Sequence, residues 1–268
     1  MLNKGLLSLC AKRFTMRNIM APAFLIFLTA CASIPVQPPT PPFSPQKTAQ
    51  ILSEIREQQN KADRLFSTGK LTIKGAEPES ESDILIVGTR SPFKVKIEVT
   101  HPWGKPLLHI FADNTRLHIL SFPEKRYYFG FLGNSYSFRL FGKSLTTEQL
   151  WSLVRAFPIL KRSERAVSPK GDRIVLLNEN AEIVQTIDFF SQNHLPRQIS
   201  FPERNIKIAF SNYDNEEDIR YARQIRLIDP GAAVNLSIDL KKTVFNKPIP
   251  EAIYSIKKPA DFETLPLK

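Results

Sequence analysis

Histidines are the first residues in this sequence whose type and spacing could do chemistry. They are His101, His109, His118 and His194. Segments 107–112 and 115–120 flank Asp113-Asn114, a good two-residue hairpin turn. In that register paired residue numbers sum to 227, so His109 would face His118, and two imidazoles can begin a metal site. No further ligand is evident nearby, so no metal is predicted, and the alternative places both rings on the wetter face of the hairpin.

Motifs of common enzymes are absent from the sequence. It contains no Gly-x-Ser-x-Gly elbow, no phosphate-binding glycine loop and no His-Glu-x-x-His. The acidic cluster Glu216-Glu217-Asp218 lies in a polar stretch that is typical of a solvated loop rather than a calcium site. The sequence therefore predicts no enzyme and no cofactor, although a hydrolase without a recognisable motif stays open.

Cys31 is the second candidate for chemistry. Residues 1–30 contain four basic residues and no acidic one, and an apolar run at 19–28 leads into Leu-Thr-Ala-Cys. This pattern is typical of a secretory signal, and the run is too short to span a bilayer. A retained N-terminal anchor is the alternative, and Met16 is an alternative start. Leu-Thr-Ala-Cys resembles the bacterial lipobox, which implies that Cys31 receives a diacylglyceryl group and becomes the acylated N-terminus. Several acyl chains give stable membrane anchoring.

Composition limits what the exported part can be. Without residues 1–30 it has 238 residues, with 37 − 4 = 33 basic and 26 acidic side chains, or a net charge of +7. The only cysteines are Cys10 and Cys31, so the domain has no disulfide and must be stable through its core. The basic surplus suits anionic lipid or is simply a solvated surface, and no run resembles a nucleic-acid-binding arm.

A proline-rich segment follows the cysteine. Residues 32–46 contain six prolines, which favour extended polyproline II, so 31–47 is predicted to be an acylated cysteine and tether. In bacterial lipoproteins, an Asp directly after the acylated cysteine retains the protein in the inner membrane. Here Ala32 and Ser33 follow the cysteine, which resembles the default signal for the outer membrane. We therefore expect a lipid anchor on the periplasmic face of the outer membrane.

The remaining residues, 48–268, read as one domain. Apolar spacing predicts helices at 48–66 and 147–157, the second with a capping box between Thr146 and Gln149. Alternating segments predict many short strands joined by hairpins. The predicted fold is therefore α+β: a single large antiparallel sheet curled into an incomplete barrel, with the helices on its concave face.

The alternating strands put many apolar side chains on that concave face. Two short helices would not cover them tightly, so a partly filled cavity could accept acyl chains, although an ordinary closed core fits the pattern equally well. The predicted lining comprises Phe93, Val95, Ile97, Val99, Leu108, Ile110, Leu117, Ile119, Leu150, Leu153, Val154, Phe157, Ile206, Ile208, Phe210, Val234, Leu236 and Ile238.

Four stretches carry a resemblance to a known family. They begin at Val99-Thr-His-Pro-Trp-Gly-Lys-Pro, Leu145-Thr-Thr-Glu-Gln-Leu-Trp, His194-Leu-Pro-Arg-Gln-Ile and Ile206-Lys-Ile-Ala-Phe-Ser-Asn-Tyr. With the lipobox, the tether and the element order, residues 50–242 resemble the LolA–LolB family, and in particular its LolB-type outer-membrane lipoprotein receptors. The proline-punctuated chain after residue 242 departs from LolB and resembles more closely the carrier and uncharacterised LolB-like lipoproteins.

The resemblance implies a function and a second site. It implies a monomer that binds acyl chains of lipoproteins or phospholipid, receives lipoproteins from a LolA-like periplasmic carrier and inserts them into the inner leaflet of the outer membrane. Pro102, Trp103 and Gly104 would form the membrane-insertion loop, because Trp suits a membrane interface. A buried turn tryptophan is the alternative for Trp103, and a structural or envelope-assembly lipoprotein with a closed core and no ligand is the alternative function.

Overall fold

The computed structural model describes residues 41–74, 80–131, 137–140, 143–228 and 235–267. It has two α-helices, α1 (Pro45–Lys61) and α2 (Thr147–Arg155). Its strands are β1 (Arg64–Lys74), β2 (Ser80–Thr89), β3 (Lys94–Thr100), β4 (Pro106–Asp113), β5 (Arg116–Ser121), β6 (Arg126–Phe131), β7 (Ser137–Leu140), β8 (Lys143–Thr146), β9 (Arg165–Lys170), β10 (Arg173–Leu177), β11 (Ile183–Phe189), β12 (Pro196–Phe201), β13 (Ile206–Glu216), β14 (Ile219–Ile228), β15 (Asn235–Phe245) and β16 (Glu263–Pro266).

Fourteen of these strands form one open sheet. Its order is β16-β6-β5-β4-β3-β2-β1-β15-β14-β13-β12-β11-β10-β9, and β7 and β8 form a separate pair. The predicted α+β fold, an incomplete barrel with helices, is confirmed. One detail of the prediction was wrong: β16 runs parallel to β6, so the sheet is mixed. The reason is that β16 is reached by a crossing segment rather than by a hairpin.

Strict alternation sets which face of each strand points inward. In β3, the side chains of Val95, Ile97 and Val99 are buried and their neighbours are half-buried. Antiparallel pairing carries this face across the sheet, because directly opposed residues share a face. The inward side chains of β1–β5 and of β10–β15 join those of both helices in one continuous core.

The first helix begins and ends earlier than its pattern predicted. Ser44 caps it, accepting a hydrogen bond from the Lys47 N–H, and Pro45 occupies the first turn, where a proline loses no helical bond. The predicted continuation to Phe66 was wrong, because residues 64–74 extend into β1 and put Leu65 on its inner face. The second helix has the predicted capping box but ends at Arg155, where Ala156 adopts the left-handed conformation.

The C-terminal segment 246–267 crosses the outer face of the sheet. The Tyr254 hydroxyl lies 2.7 Å from Thr89 Oγ1, and Lys96 donates to the carbonyl of Ile253. Phe262 packs edge-on against Phe122. This part of the outer face is therefore drier than the half-wet sheet that the alternation predicted. Within the described ranges, neither helix has the length and apolar content needed to cross a bilayer.

The predicted facing of His109 and His118 was wrong. Strand β5 begins at Arg116, so the turn residues are Asn114 and Thr115 and the paired numbers sum to 229. Asp113 fixes that turn by accepting hydrogen bonds from the N–H groups of Thr115 and Arg116, both at 2.7 Å. His118 therefore pairs with Phe111, and His109 pairs with Leu120.

Candidate functional site

The concave face is a continuous apolar layer under the two helices. Ile51, Leu52 and Ile55 of α1 and nearly every residue of α2 pack on it. Only β2 and β1 separate the strands β3–β5 from β13–β15 in sheet order, and the inner side chains of both groups belong to the same cluster. In the described domain, this layer is enclosed by α1 and α2.

Fifteen predicted lining residues have 7% or less of their surface exposed. Leu108 and Ile119 are half-buried and pack against the same cluster, while Val234 lies outside the described residues. The structure thus brings the described members of the set together. They fill the interior with side chains while the helices are in place, and their role as a lining for acyl chains stays a prediction.

Helix α2 approaches the sheet closely at one point. A Cβ atom on Gly88 would lie only 2.9 Å from the ring of Trp151, so the glycine allows the indole to lie against the strand. Trp151 is 3% exposed, and its indole N–H is enclosed without an acceptor. Gln149 is also buried, and its side-chain nitrogen likewise has no partner. The inner side of α2 therefore carries unused hydrogen-bond donors.

A buried arginine joins the helices to the sheet. Arg155, at the end of α2, is 1% exposed. Its Nη1 donates to the carbonyl of Arg220 at 2.8 Å, and its Nη2 donates to the carbonyl of Gln58 in α1 at 3.2 Å. The Gln58 side chain in turn accepts from the Arg220 N–H at 2.9 Å. These contacts connect α1 and α2 to the first residues of β14, which β15 does not pair with.

The charge of Arg155 is not balanced by a carboxylate in the described part of the chain. Its guanidinium lies over the rings of Phe157 and Phe245, at 5.2 and 4.9 Å from their centroids. Burial lowers the pKa of Arg155 to about 9. Arg155 is thus a buried charge held by hydrogen bonds, and it stays protonated at neutral pH.

Sequence reasoning did not identify Arg155 or Trp151 as functional. The predicted apolar face of the second helix was Leu150, Leu153, Val154 and Phe157, which leaves both residues on the side assigned to solvent. The structure buries the two residues in different ways: Trp151 packs against Gly88 of β2, and Arg155 reaches Gln58 of α1 and Arg220 of β14. A tryptophan on a supposedly polar face was the one available signal.

The predicted insertion loop is exposed and ordered by its own hydrogen bonds. Trp103 has 89% of its surface exposed, so the alternative of a buried turn tryptophan does not describe this loop. The His101 N–H donates to the carbonyl of Lys105, and the Gly104 N–H donates to that of His101, both at 2.8 Å. Gly104 has φ +81°. The turn therefore holds the indole out from the domain without a contact that would bury it.

Other predicted chemistry lies elsewhere. Cys31 and the signal segment are outside the described residues. Among the described residues, no group of three or more His, Cys, Asp or Glu side chains is arranged to hold a metal ion. The His118 Nδ1 is 2.6 Å from the Tyr127 hydroxyl. The pKa of His118 is lowered, mainly because the imidazole is partly buried.

Comparisons with known proteins place the fold. No protein-family model matches the sequence, and no curated protein matches it. Among solved structures, a LolA superfamily protein from Nitrosomonas europaea has a TM-score of 0.52 at 12% identity, over 78% of this chain and 97% of its own. A DUF1329 family protein from Desulfovibrio piger has a TM-score of 0.52 at 11% identity, over 81% and 98%.

A third similar structure comes from Vibrio parahaemolyticus. It is a domain provisionally described as an outer membrane lipoprotein-sorting protein, with a TM-score of 0.50 at 12% identity, over 78% of this chain and 96% of its own. At these identities the likeness concerns the fold. The structural neighbours thus include LolA superfamily proteins, whereas the narrower resemblance to a LolB-type receptor stays a prediction. The described domain has a LolA-like fold.

Proposed function

We propose that this chain is a lipid-anchored protein that binds acyl chains between its helices and its concave sheet. In this proposal Cys31 carries the anchor on the periplasmic face of the outer membrane. The protein receives lipoproteins from a LolA-like carrier and helps to insert them into the inner leaflet. The observation that carries the proposal is the concave apolar layer in a LolA-like fold, covered by only two helices of 17 and 9 residues.

Acyl binding requires the C-terminal end of α2 to lift from the layer, since the side chains of the helix fill the space beneath it, while its first turn stays in place. The polar contacts that hold its end are few: Arg155 to Arg220 and Gln58, and the Ala222 N–H to the Ala156 carbonyl at 2.8 Å. Each such bond contributes roughly 1 to 3 kcal/mol. Burying a chain of about 16 carbons could return on the order of 10 kcal/mol before entropy costs. An acyl ligand can therefore offset the loss of these contacts.

Trp103 supports the membrane step of the proposal. An exposed indole on a turn closed by hydrogen bonds suits the bilayer interface, where its apolar ring and single N–H are both accommodated. The proline-rich tether predicted at 31–47 would leave the anchored domain free to turn this loop toward the membrane.

A disulfide across the end of α2 tests whether the helix must move. The hydrogen bond from the Ala222 N–H to the Ala156 carbonyl, at 2.8 Å, makes the two residues neighbours, and an engineered disulfide needs such proximity. We expect oxidised Ala156→Cys/Ala222→Cys protein to lose binding of a fluorescent fatty-acid probe, and reduction to restore it. The single variant Ala222→Cys is the matched control. Undiminished binding by the oxidised double variant would show that α2 does not gate the site.

The second candidate is a structural or envelope-assembly lipoprotein with a closed core. The observation that favours it is the 7% or lower exposure of fifteen concave residues. In that case the helices stay in place and no acyl ligand binds. The two candidates differ in the reduced Ala156→Cys/Ala222→Cys protein: it binds the probe if the layer opens, and it does not bind if the core is permanently closed.

A further inference from the structure

A pocket with an apolar floor and a polar rim lies where α2 begins. Its volume is about 280 Å³. The floor is made by Phe93, Trp151 and Ile159, each at most 7% exposed and part of the concave core. The rim is made by Arg90, Asn114, Thr147 and Glu148. That is room for several waters, or for the small polar head of a lipid.

Arg90 is positioned at this rim by its own contacts. Its Nη1 donates to the carbonyl of Gln59 and to Asn60 Oδ1, both at 3.1 Å at the end of α1. These bonds use one nitrogen, and in the described part of the chain no acidic side chain pairs with Arg90. The Nε–Nη2 edge thus keeps a two-pronged donor set. That planar edge matches a phosphate oxyanion with two parallel hydrogen bonds.

Two further groups give the pocket a preference. Glu148 is an exposed carboxylate on the same rim, and its charge complements an ammonium group. Trp151 borders the floor with its ring and joins the pocket to the apolar layer, while its indole N–H is buried away from the open pocket. The pocket thus combines donors for an oxyanion, a carboxylate for an amine and a direct contact with the apolar layer.

We propose that this pocket holds the phosphoethanolamine head of a glycerophospholipid whose acyl chains lie in the concave layer. The inference rests on the proposed acyl-binding function and adds the class of ligand. The phosphate binds the free edge of Arg90, and the amine lies near Glu148. The acylated cysteine of a lipoprotein has ester and amide oxygens but no phosphate, so it would bind without the Arg90 contact.

Competition for a bound fluorescent fatty-acid probe tests this inference with the full chain carrying Cys31→Ser. The competitors are dioctanoyl phosphatidylethanolamine, dioctanoylglycerol and glycerophosphoethanolamine. We expect the phospholipid to compete at least about tenfold better than dioctanoylglycerol, and the chainless head not to compete at comparable concentrations. Arg90→Gln should remove this preference while leaving dioctanoylglycerol unchanged. Arg56→Gln, at an exposed position on α1, should keep it.

The outcomes separate the inference from the proposed function. Equal competition by the phospholipid and dioctanoylglycerol, or a preference that persists in Arg90→Gln, overturns the phosphate site and leaves acyl binding standing. If glycerophosphoethanolamine competes with the same affinity as the phospholipid, the pocket binds a free phosphate without acyl chains. That result also overturns the phospholipid site. No binding of the probe or of any lipid overturns both. If Arg90→Gln binds neither the phospholipid nor dioctanoylglycerol, the variant Glu148→Gln decides. A severalfold weaker competition by the phospholipid alone supports the site, and unchanged competition by the phospholipid refutes it.

Discussion

Replacing Arg155 with methionine tests how the buried arginine contributes to stability. Arg155→Met keeps an unbranched apolar side chain but removes the guanidinium. The loss of two hydrogen bonds from a charged donor, to Arg220 and Gln58, costs about 1.5 to 3 kcal/mol each. In the opposite direction, burial lowers the pKa of Arg155 to about 9, and the variant relieves this unfavourable burial of a charge, which is of the same order. We expect the two effects to nearly cancel.

Urea unfolding of Arg155→Met and of the wild-type chain measures the balance. At pH 7 the free energies of unfolding should agree within about 2 kcal/mol. Arg56→Met, at an exposed position on the other helix, is the control for a lost surface charge. A loss of more than about 4 kcal/mol in Arg155→Met would mean that the hydrogen bonds outweigh the burial of the charge, which would refute this reasoning.

The pH dependence of the same experiment has a fixed sign. Above about pH 9 the folded chain loses the proton of Arg155, whereas the unfolded chain still holds it. The unfolded state then binds more protons, so the wild-type stability rises with pH relative to the variant, by up to about 1.4 kcal/mol per pH unit. A difference that stays flat between pH 8 and pH 10.5 would contradict the assigned environment.

Three further predictions concern other parts of the molecule. Trp103→Glu should weaken binding to anionic vesicles about tenfold or more and change the unfolding free energy by less than about 0.5 kcal/mol. The control Trp103→Phe should keep most of the vesicle binding. Equal vesicle binding by Trp103→Glu and the wild-type chain would remove the loop from the mechanism. Gly69→Ala puts a Cβ atom 2.2 Å from the Asp239 carbonyl oxygen and should cost about 3 kcal/mol in thermal unfolding. Gly104→Ala, which meets no atom within 4 Å but has φ +81°, should cost only about 1 kcal/mol, and equal losses would contradict the close approach. Burial and Arg116 lower the pKa of His118 below 6.5, so the unfolded chain is protonated first and stability falls as the pH drops below about 6.5. His118→Phe should lessen that fall in melts at pH 7 and pH 5, and an unchanged fall would assign it to other groups.

Local patterns predicted the face of a strand better than its partner. Val95, Ile97 and Val99 alternate with polar residues, and the period of two reports their inner face directly. The facing of His109 and His118 failed because it depended on one turn residue, which the Asp113 carboxylate moved by one position. A shift of the turn by one moves the pairing by two, so each side chain keeps its face while its partner changes.

The candidate site was predictable only as far as apolar periodicity reaches. The concave layer follows from alternation, and the exposure of Trp103 agrees with its place in a turn. The burial of Arg155 could not be read from the sequence, because it depends on α1 and β14 meeting the outer side of α2. The outer-face path of residues 246–267 was equally hidden, since its prolines break any periodicity.

The central claim is that the apolar layer beneath α2 opens to take a hydrocarbon chain. Titration of the full chain with a fatty-acid probe that fluoresces in apolar surroundings tests it most directly. We expect saturable one-to-one binding that phospholipid displaces and that the oxidised Ala156→Cys/Ala222→Cys lock abolishes. Fluorescence that never saturates, or that the lock leaves unchanged, would contradict it.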